Sequence, residues 1–109
     1  TAAFTCASDA AGTYTVPIVL PKGARVLAMF TNASATMGGT ATIAIGIAGA
    51  TGKYRAAATH TATDTLTFHS LATVFGVELT ADEQIIMTTA AAALPSSGTL
   101  TIGFLYTID

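Results

Sequence analysis

The sequence predicts an all-β protein, built as an antiparallel β-sandwich or jelly roll of about seven to eight short strands. Three observations favour this class. Apolar residues recur at every second position in several segments, which is the period of a strand with one buried face. Turn-forming residues separate these segments at short intervals, and no segment shows the period of an amphipathic helix.

The C-terminal segment, Thr99–Asp109, shows this alternation most clearly. The face formed by its odd positions carries threonine and glycine, with Leu105 as the apolar exception. Because a face that met only water would more often carry Lys or Glu, we expect another strand or another subunit to cover Leu105. The even positions are large and apolar, and we expect them in the core: Leu100, Ile102, Phe104, Tyr106 and Ile108.

Three strands are predicted in the first half of the chain. Thr13–Leu20 turns its even positions inward, and Pro17 places it at a sheet edge or at a bulge because proline has no N–H to donate. Ala24–Asn32 is apolar on both faces, which favours a central position. Ala41–Ala48 has isoleucines on one face and small residues on the other, where another backbone could approach closely.

The second half is predicted from weaker signals. Gly49–Asp64 is read as a loop with at most one helical turn, since its KYRAAAT stretch is too short for an independent helix. Short strands are expected at Thr65–His69 and Ala72–Leu79. Gln84–Ala91 is expected to pair with the C-terminal strand in a hairpin, across the loop that contains Leu94–Gly98.

The domain organisation follows from length. A chain of 109 residues can bury a sizeable core, so we expect one β-sandwich domain over residues 13–109. Residues 1–12 are expected to form an N-terminal arm or an edge strand, with a frayed terminus as the alternative. Cys6 is the single cysteine, which rules out an intrachain disulfide. No apolar run is long enough for a membrane helix, and no membrane partner is expected.

The composition limits the possible partners. Charged residues make up 9% of the chain and the net charge is −2. Since phosphate binding needs clustered Lys or Arg, we expect no nucleic-acid partner. A surface this poor in charge costs little to desolvate, which suits a domain largely covered by other subunits. A small stable monomer with a threonine-rich surface is the alternative.

Few residues could support catalysis. A catalytic triad needs a nucleophile, a base and an orienting acid, and the chain has only two histidines, His60 and His69. His69 and Ser70 are neighbours that would point to opposite faces of a strand. His60 and Asp64 would make a weak metal site at best. We therefore expect no enzyme, no catalytic residue, no cofactor and no metal, and we expect both histidines at the surface or an interface.

Other short motifs have simpler explanations. No glycine-rich phosphate loop is present, and the acidic pair Asp82–Glu83 is more typical of a solvated turn than of a calcium site. Asn32–Ser34 matches a glycosylation sequon, but such short matches are frequent by chance. T-x-T units could indicate an ice-binding array, yet they occur at irregular intervals, and threonine is an ordinary strand former.

Three longer stretches resemble a known class of viral protein: VPIVLPKGARV at Val16–Val26, GATGKY at Gly49–Tyr54, and ADEQIIM together with LPSSGTLTIGFLY in the C-terminal region. They are similar to the small β-sandwich decoration, or cement, proteins of tailed-bacteriophage capsids. The resemblance implies a non-enzymatic virion protein, made in the host cytoplasm, on the outer surface of the head. It also implies the major capsid protein as partner and self-association, often as a homotrimer.

The resemblance defines no binding residues, but we expect the N-terminal arm and the two loops that contain basic residues, around Lys22–Arg25 and Lys53–Arg55, to meet the capsid or a neighbouring copy. Two other classes remain open: a carbohydrate- or receptor-binding module of a viral fibre or tail, and a minor structural subunit such as a minor coat or tail-tube component. The expected interface residues are Phe4, Lys22, Arg25, Lys53, Tyr54, Arg55 and Leu105.

Overall fold

A computed structural model of the chain describes residues 2–7, 10–69 and 75–108. Within these ranges there is no helix, and therefore no helix able to cross a membrane. The predicted all-β sandwich is confirmed. Eight strands are formed: β1 Ala2–Thr5, β2 Gly12–Leu20, β3 Ala24–Ala33, β4 Thr42–Ile47, β5 Ala50–Thr59, β6 Thr67–His69, β7 Glu83–Ala90 and β8 Thr99–Ile108.

The strands form two four-stranded antiparallel sheets. The first sheet has the order β1-β8-β3-β6, and the second has the order β2-β7-β4-β5. Each strand pairs with its counterpart from the other end of the chain: β1 with β8, β2 with β7, β3 with β6 and β4 with β5. Counted inward from the two ends of the chain, successive strand pairs therefore lie in alternate sheets.

The predicted hairpin between the last two strands is wrong, because β7 and β8 lie in different sheets. The connection between them crosses the sandwich, and Leu94 within it is buried in the core. Ala91 and Gly98 both have positive φ and redirect the chain at either end of the crossing. A loop rich in turn formers can close a hairpin or cross between sheets, and the local sequence does not distinguish the two outcomes.

The strand predictions for the first half are confirmed. In β2, Val16 and Leu20 are buried, and Pro17 is exposed on an edge strand whose pairing with β7 shifts register between Thr15 and Val19. This is where a residue without an N–H can be accommodated. β3 lies between β8 and β6, and its inward residues pack between the two sheets with the isoleucines of β4.

The predicted close approach of a backbone to the small face of β4 is also confirmed. A Cβ atom on Gly46 would lie within 2.6 Å of the Thr51 carbonyl oxygen. Only glycine leaves room there for the turn that leads into β5.

The prediction of a loop over Gly49–Asp64 is wrong, because Ala50–Thr59 forms the edge strand β5. Its alanine-rich sequence has low strand propensity, but pairing with β4 overrides that preference. The pairing shifts register twice, between Ile43 and Ile45 and between Ile45 and Ile47. These irregularities hide the strand period from the sequence.

The other two short predicted strands differ from expectation. β6 occupies only Thr67–His69 of the predicted Thr65–His69. Of the predicted strand Ala72–Leu79, residues 72–74 lie outside the described ranges. Its described part is a turn with one isolated bridge, between Glu78 and Arg25, so the strand prediction is wrong there.

The expectation that every even position of the C-terminal strand lies in the core holds for Leu100 and Ile102 but is wrong for Tyr106 and Ile108, which are exposed. β1 pairs with β8 only as far as Ile102. Beyond that residue β8 has β3 as its one described neighbour, and its distal end is exposed on both faces.

Candidate functional site

The residues expected at an interface do not form one cluster. Phe4 lies on β1, half-buried, with its ring 5.3 Å from that of Tyr14 on β2. Lys22 is exposed, and its backbone N–H donates to Asp82 at 2.7 Å. Arg25, at the start of β3, forms an ion pair with Glu78 at 3.2 Å. Phe4 therefore contributes to packing, whereas Lys22 and Arg25 lie at the surface.

Lys53, Tyr54 and Arg55 lie together on β5, but their polar atoms form hydrogen bonds within the protein. The Lys53 ammonium and the Tyr54 hydroxyl both donate to the Glu83 carboxylate of β7. Tyr54 is only 1% exposed, and burial, followed by the hydrogen bond and charge of Glu83, raises the pKa of its phenol. Arg55 donates to three backbone carbonyls, those of Ile43, Ala58 and Thr59.

Leu105 is 57% exposed and belongs to an apolar surface on the outside of the first sheet. Phe30 pairs with Gly103 on one side and with Phe68 on the other, and the Phe30 and Phe68 rings are 5.8 Å apart. Leu27, at the bulge in the pairing of β3 with β8, is also exposed. We call this surface the outer apolar face; it consists of Leu27, Phe30, Phe68, Gly103 and Leu105.

The outer apolar face has almost no charge around it. Among the strand residues of the first sheet, Arg25 is the one Lys, Arg, Asp or Glu, and it is paired with Glu78. Exposed apolar surface of this kind marks a site of interaction when its members are contiguous. The sequence indicated Leu105 but not Phe30 or Phe68, since their proximity depends on a strand order that alternation does not encode.

A second notable group is polar and lies largely inside the protein. The Thr31 hydroxyl on β3 is 2.9 Å from Nε2 of His60 and 2.9 Å from Nε2 of His69. His60 follows β5 and is only 4% exposed in the single chain, so the expectation that it lies at the surface or an interface is wrong; His69, on β6, is half-buried. A hydroxyl can donate to one nitrogen while accepting from the other, so Thr31 satisfies both rings if their tautomers differ.

Burial and the nearby Arg55 guanidinium both affect the protonation of the two histidines. Burial, and then the nearby charge of Arg55, lowers the pKa of both His60 and His69, so both rings are neutral at pH 7. Across the described ranges, no three His, Cys, Asp or Glu side chains are grouped so as to hold a metal ion. With both Nε2 atoms within hydrogen-bond distance of the Thr31 hydroxyl, this arrangement is a hydrogen-bonded polar cluster.

Comparison with known proteins shows a likeness of fold. One chain of the solved cyanophage Pam1 capsid asymmetric unit is similar with a TM-score of 0.76 and 24% sequence identity. The alignment covers 98% of this chain and 79% of that chain. No protein-family model and no curated protein sequence matches. The likeness at this identity establishes the shared fold.

Proposed function

We propose that the protein is a non-enzymatic structural component of a bacteriophage particle, which binds the outer surface of the head as a decoration protein. The observation that carries the proposal is the likeness to a chain of a phage capsid asymmetric unit over 98% of the present chain. The strand order, β1-β8-β3-β6 facing β2-β7-β4-β5, also supports it, since eight-stranded jelly rolls are common in viral capsid domains.

The outer apolar face is the proposed docking surface. Phe68 is 62% exposed and Leu105 57% exposed in the single chain, and Arg25, which is paired with Glu78, is the one charged side chain among the strand residues of the first sheet. Burial of such a surface against the major capsid protein costs little desolvation of charge. Many copies bound to one shell need only modest affinity at each contact.

Co-sedimentation with capsids that lack the protein tests this proposal. Leu105→Glu should lower the bound fraction at least tenfold, because the contact would bury a carboxylate without a partner. Val19→Glu is a matched control, since Val19 is 56% exposed but lies on β2 of the other sheet. If the wild-type protein fails to co-sediment, the proposal is wrong; if Val19→Glu is the damaging change, the docking surface is wrong.

We further propose that the protein self-associates as a homotrimer. Between Gly103 and Ile108, β8 has a described neighbour on only one side, and such an edge can pair with another chain. Light scattering coupled to size-exclusion chromatography should give about three times the chain mass of 10.9 kDa at micromolar concentration. A monomer under these conditions would refute the trimer and leave the capsid-binding test unaffected.

A further inference from the structure

A pocket of about 180 Å³ opens beside the polar cluster. Its polar lining comes from Arg55 on β5, His60 after that strand, His69 on β6 and three threonines. No Asp or Glu of the described residues lines it. The described lining is therefore rich in hydrogen-bond donors and has no acidic side chain.

Arg55 brings a positive charge to this pocket that no carboxylate balances within the described residues. Its side chain is 9% exposed. Its hydrogen bonds go to the backbone carbonyls of Ala58 and Thr59, each at 3.0 Å, and of Ile43. Its Nε atom is buried and has no hydrogen-bond partner in the described structure. Buried cations are usually paired, so an unpaired one with a spare donor is an exception that needs a reason.

The two histidine side chains add further groups that favour an anion in the pocket. His60 Nδ1 is buried and forms no hydrogen bond of ordinary geometry, although a weak contact with its own backbone favours the protonated ring. His69 lies beside it and shares Thr31 with it. The titratable groups at the pocket are thus Arg55 and the two histidines, and each would interact more favourably with an anion nearby.

We propose that this pocket binds a carboxylate group, with Arg55 as its cationic partner. Carboxylate is the anion that guanidinium binds best through charge-assisted hydrogen bonds, and Arg55, which uses three of its five N–H groups on backbone carbonyls, has one on Nη2 and one on Nε left to donate. A volume of about 180 Å³ accommodates a carboxylate with a few carbons attached. The ligand is therefore a small free carboxylic acid or the acidic side chain of a bound peptide.

Binding should be linked to proton uptake. A carboxylate beside Arg55 offsets the positive charge that keeps the imidazoles neutral, so it raises the pKa of His60 and His69. Protonated imidazoles in turn strengthen carboxylate binding by the same factor, since coupling between sites is reciprocal. We expect binding to be about tenfold tighter at pH 5.5 than at pH 7.5.

The experiment is an NMR titration of the histidine ring signals with sodium acetate, with ionic strength held constant by sodium chloride. Acetate should shift the signals of His60 and His69 saturably, and more strongly at pH 5.5, while the neutral ester methyl acetate should not. No saturable shift, or an equal shift with chloride alone, would overturn the proposal. So would a response to inorganic phosphate without one to acetate.

Variants assign the response to Arg55. Arg55→Met should abolish the acetate shift, whereas Arg25→Met, which removes an arginine at the surface, should leave it unchanged. Arg55→Met removes three hydrogen bonds, which can prevent folding. In that case His69→Gln is the variant to measure, and it should reduce the difference in acetate affinity between pH 5.5 and pH 7.5. An unchanged difference in His69→Gln would contradict the linkage.

A further ligand distinguishes the two sources of the carboxylate. N-acetylglutamic acid α-amide, which carries only the side-chain carboxylate, should bind more tightly than acetate if the natural ligand is a peptide. Acetate should bind equally well or better if the ligand is a free acid. Binding of neither would refute the proposal. All these measurements use the isolated chain and are independent of capsid binding.

Discussion

The ring of Phe30 lies over Gly103 of the neighbouring strand, so closely that a Cβ atom on residue 103 would lie within 2.6 Å of Phe30 Cε1. Because Gly103 on β8 has no side chain, the Phe30 ring on β3 can occupy the space above it. This pair forms the centre of the outer apolar face, with Phe68 on its other side.

Gly103→Ala should destabilise the protein by about 1 kcal/mol, at the lower end for overpacking. The obstructing atoms belong to the end of a half-buried side chain, which can swing away from β3. Urea unfolding measures the loss. The cost should be smaller in a Phe30→Ala background, where no ring opposes the new methyl group; strictly additive effects of the two changes would contradict this account.

Gly46→Ala should cost more, about 3 kcal/mol, although an added methyl group would clash at both glycines. Here the obstructing atoms are the backbone carbonyl oxygens of Ala50 and Thr51, which cannot move without disturbing the start of β5. Denaturant unfolding of both glycine variants under one set of conditions tests the order. Equal losses of stability for Gly46→Ala and Gly103→Ala would contradict this, because they would show that the backbone of β5 moves as easily as the Phe30 side chain.

Thr31→Val should destabilise the protein by about 2–3 kcal/mol, because the buried His60 and the half-buried His69 both lose the hydrogen-bond partner of their Nε2 atoms. Thr88→Val is the matched control. The Thr88 hydroxyl is buried without a hydrogen-bond partner in the described structure, so its replacement should change the free energy of unfolding by about 0.5 kcal/mol or less. A similar loss in both variants would refute the role of Thr31.

The sequence was sufficient to predict the elements that alternate regularly. Val16 and Leu20 identified the buried face of β2, and Pro17 indicated an edge position or a bulge, both of which β2 has. Both signals are local, since they depend on the two-residue period of a strand and on a missing N–H. The fold class follows from several such segments in succession.

Features that depend on distant partners were not predictable. β5 is a strand because β4 provides its hydrogen bonds and Arg55 satisfies carbonyls that include those of Ala58 and Thr59, not because of its own propensity. The polar cluster consists of Thr31, His60 and His69. The antiparallel pairing of β3 with β6 brings Thr31 close to His69, and His60 lies on the chain that leaves β5. No spacing in the sequence indicates that three such residues converge.

The polar cluster also predicts how stability depends on pH. Burial and Arg55 lower the pKa of His60 and His69 in the folded protein, so as the pH falls below about 6.5 the unfolded chain binds more protons than the native state. Stability is therefore fully present above the unfolded histidine pKa and is lost as the pH falls below it. We expect the free energy of unfolding to decrease steadily from pH 7 to pH 5.

Urea unfolding at a series of pH values measures this slope, in chloride and Bis-Tris without carboxylate buffers. His69→Gln retains a group able to hydrogen-bond with Thr31 and removes one of the two titrations, so it should lower the slope by roughly half. The comparison uses the slope and not the absolute stability, which the substitution also changes. If the wild-type stability is constant over this range, the two rings become protonated as readily in the folded protein as in the unfolded chain, and the lowering of their pKa values by burial and Arg55 is wrong.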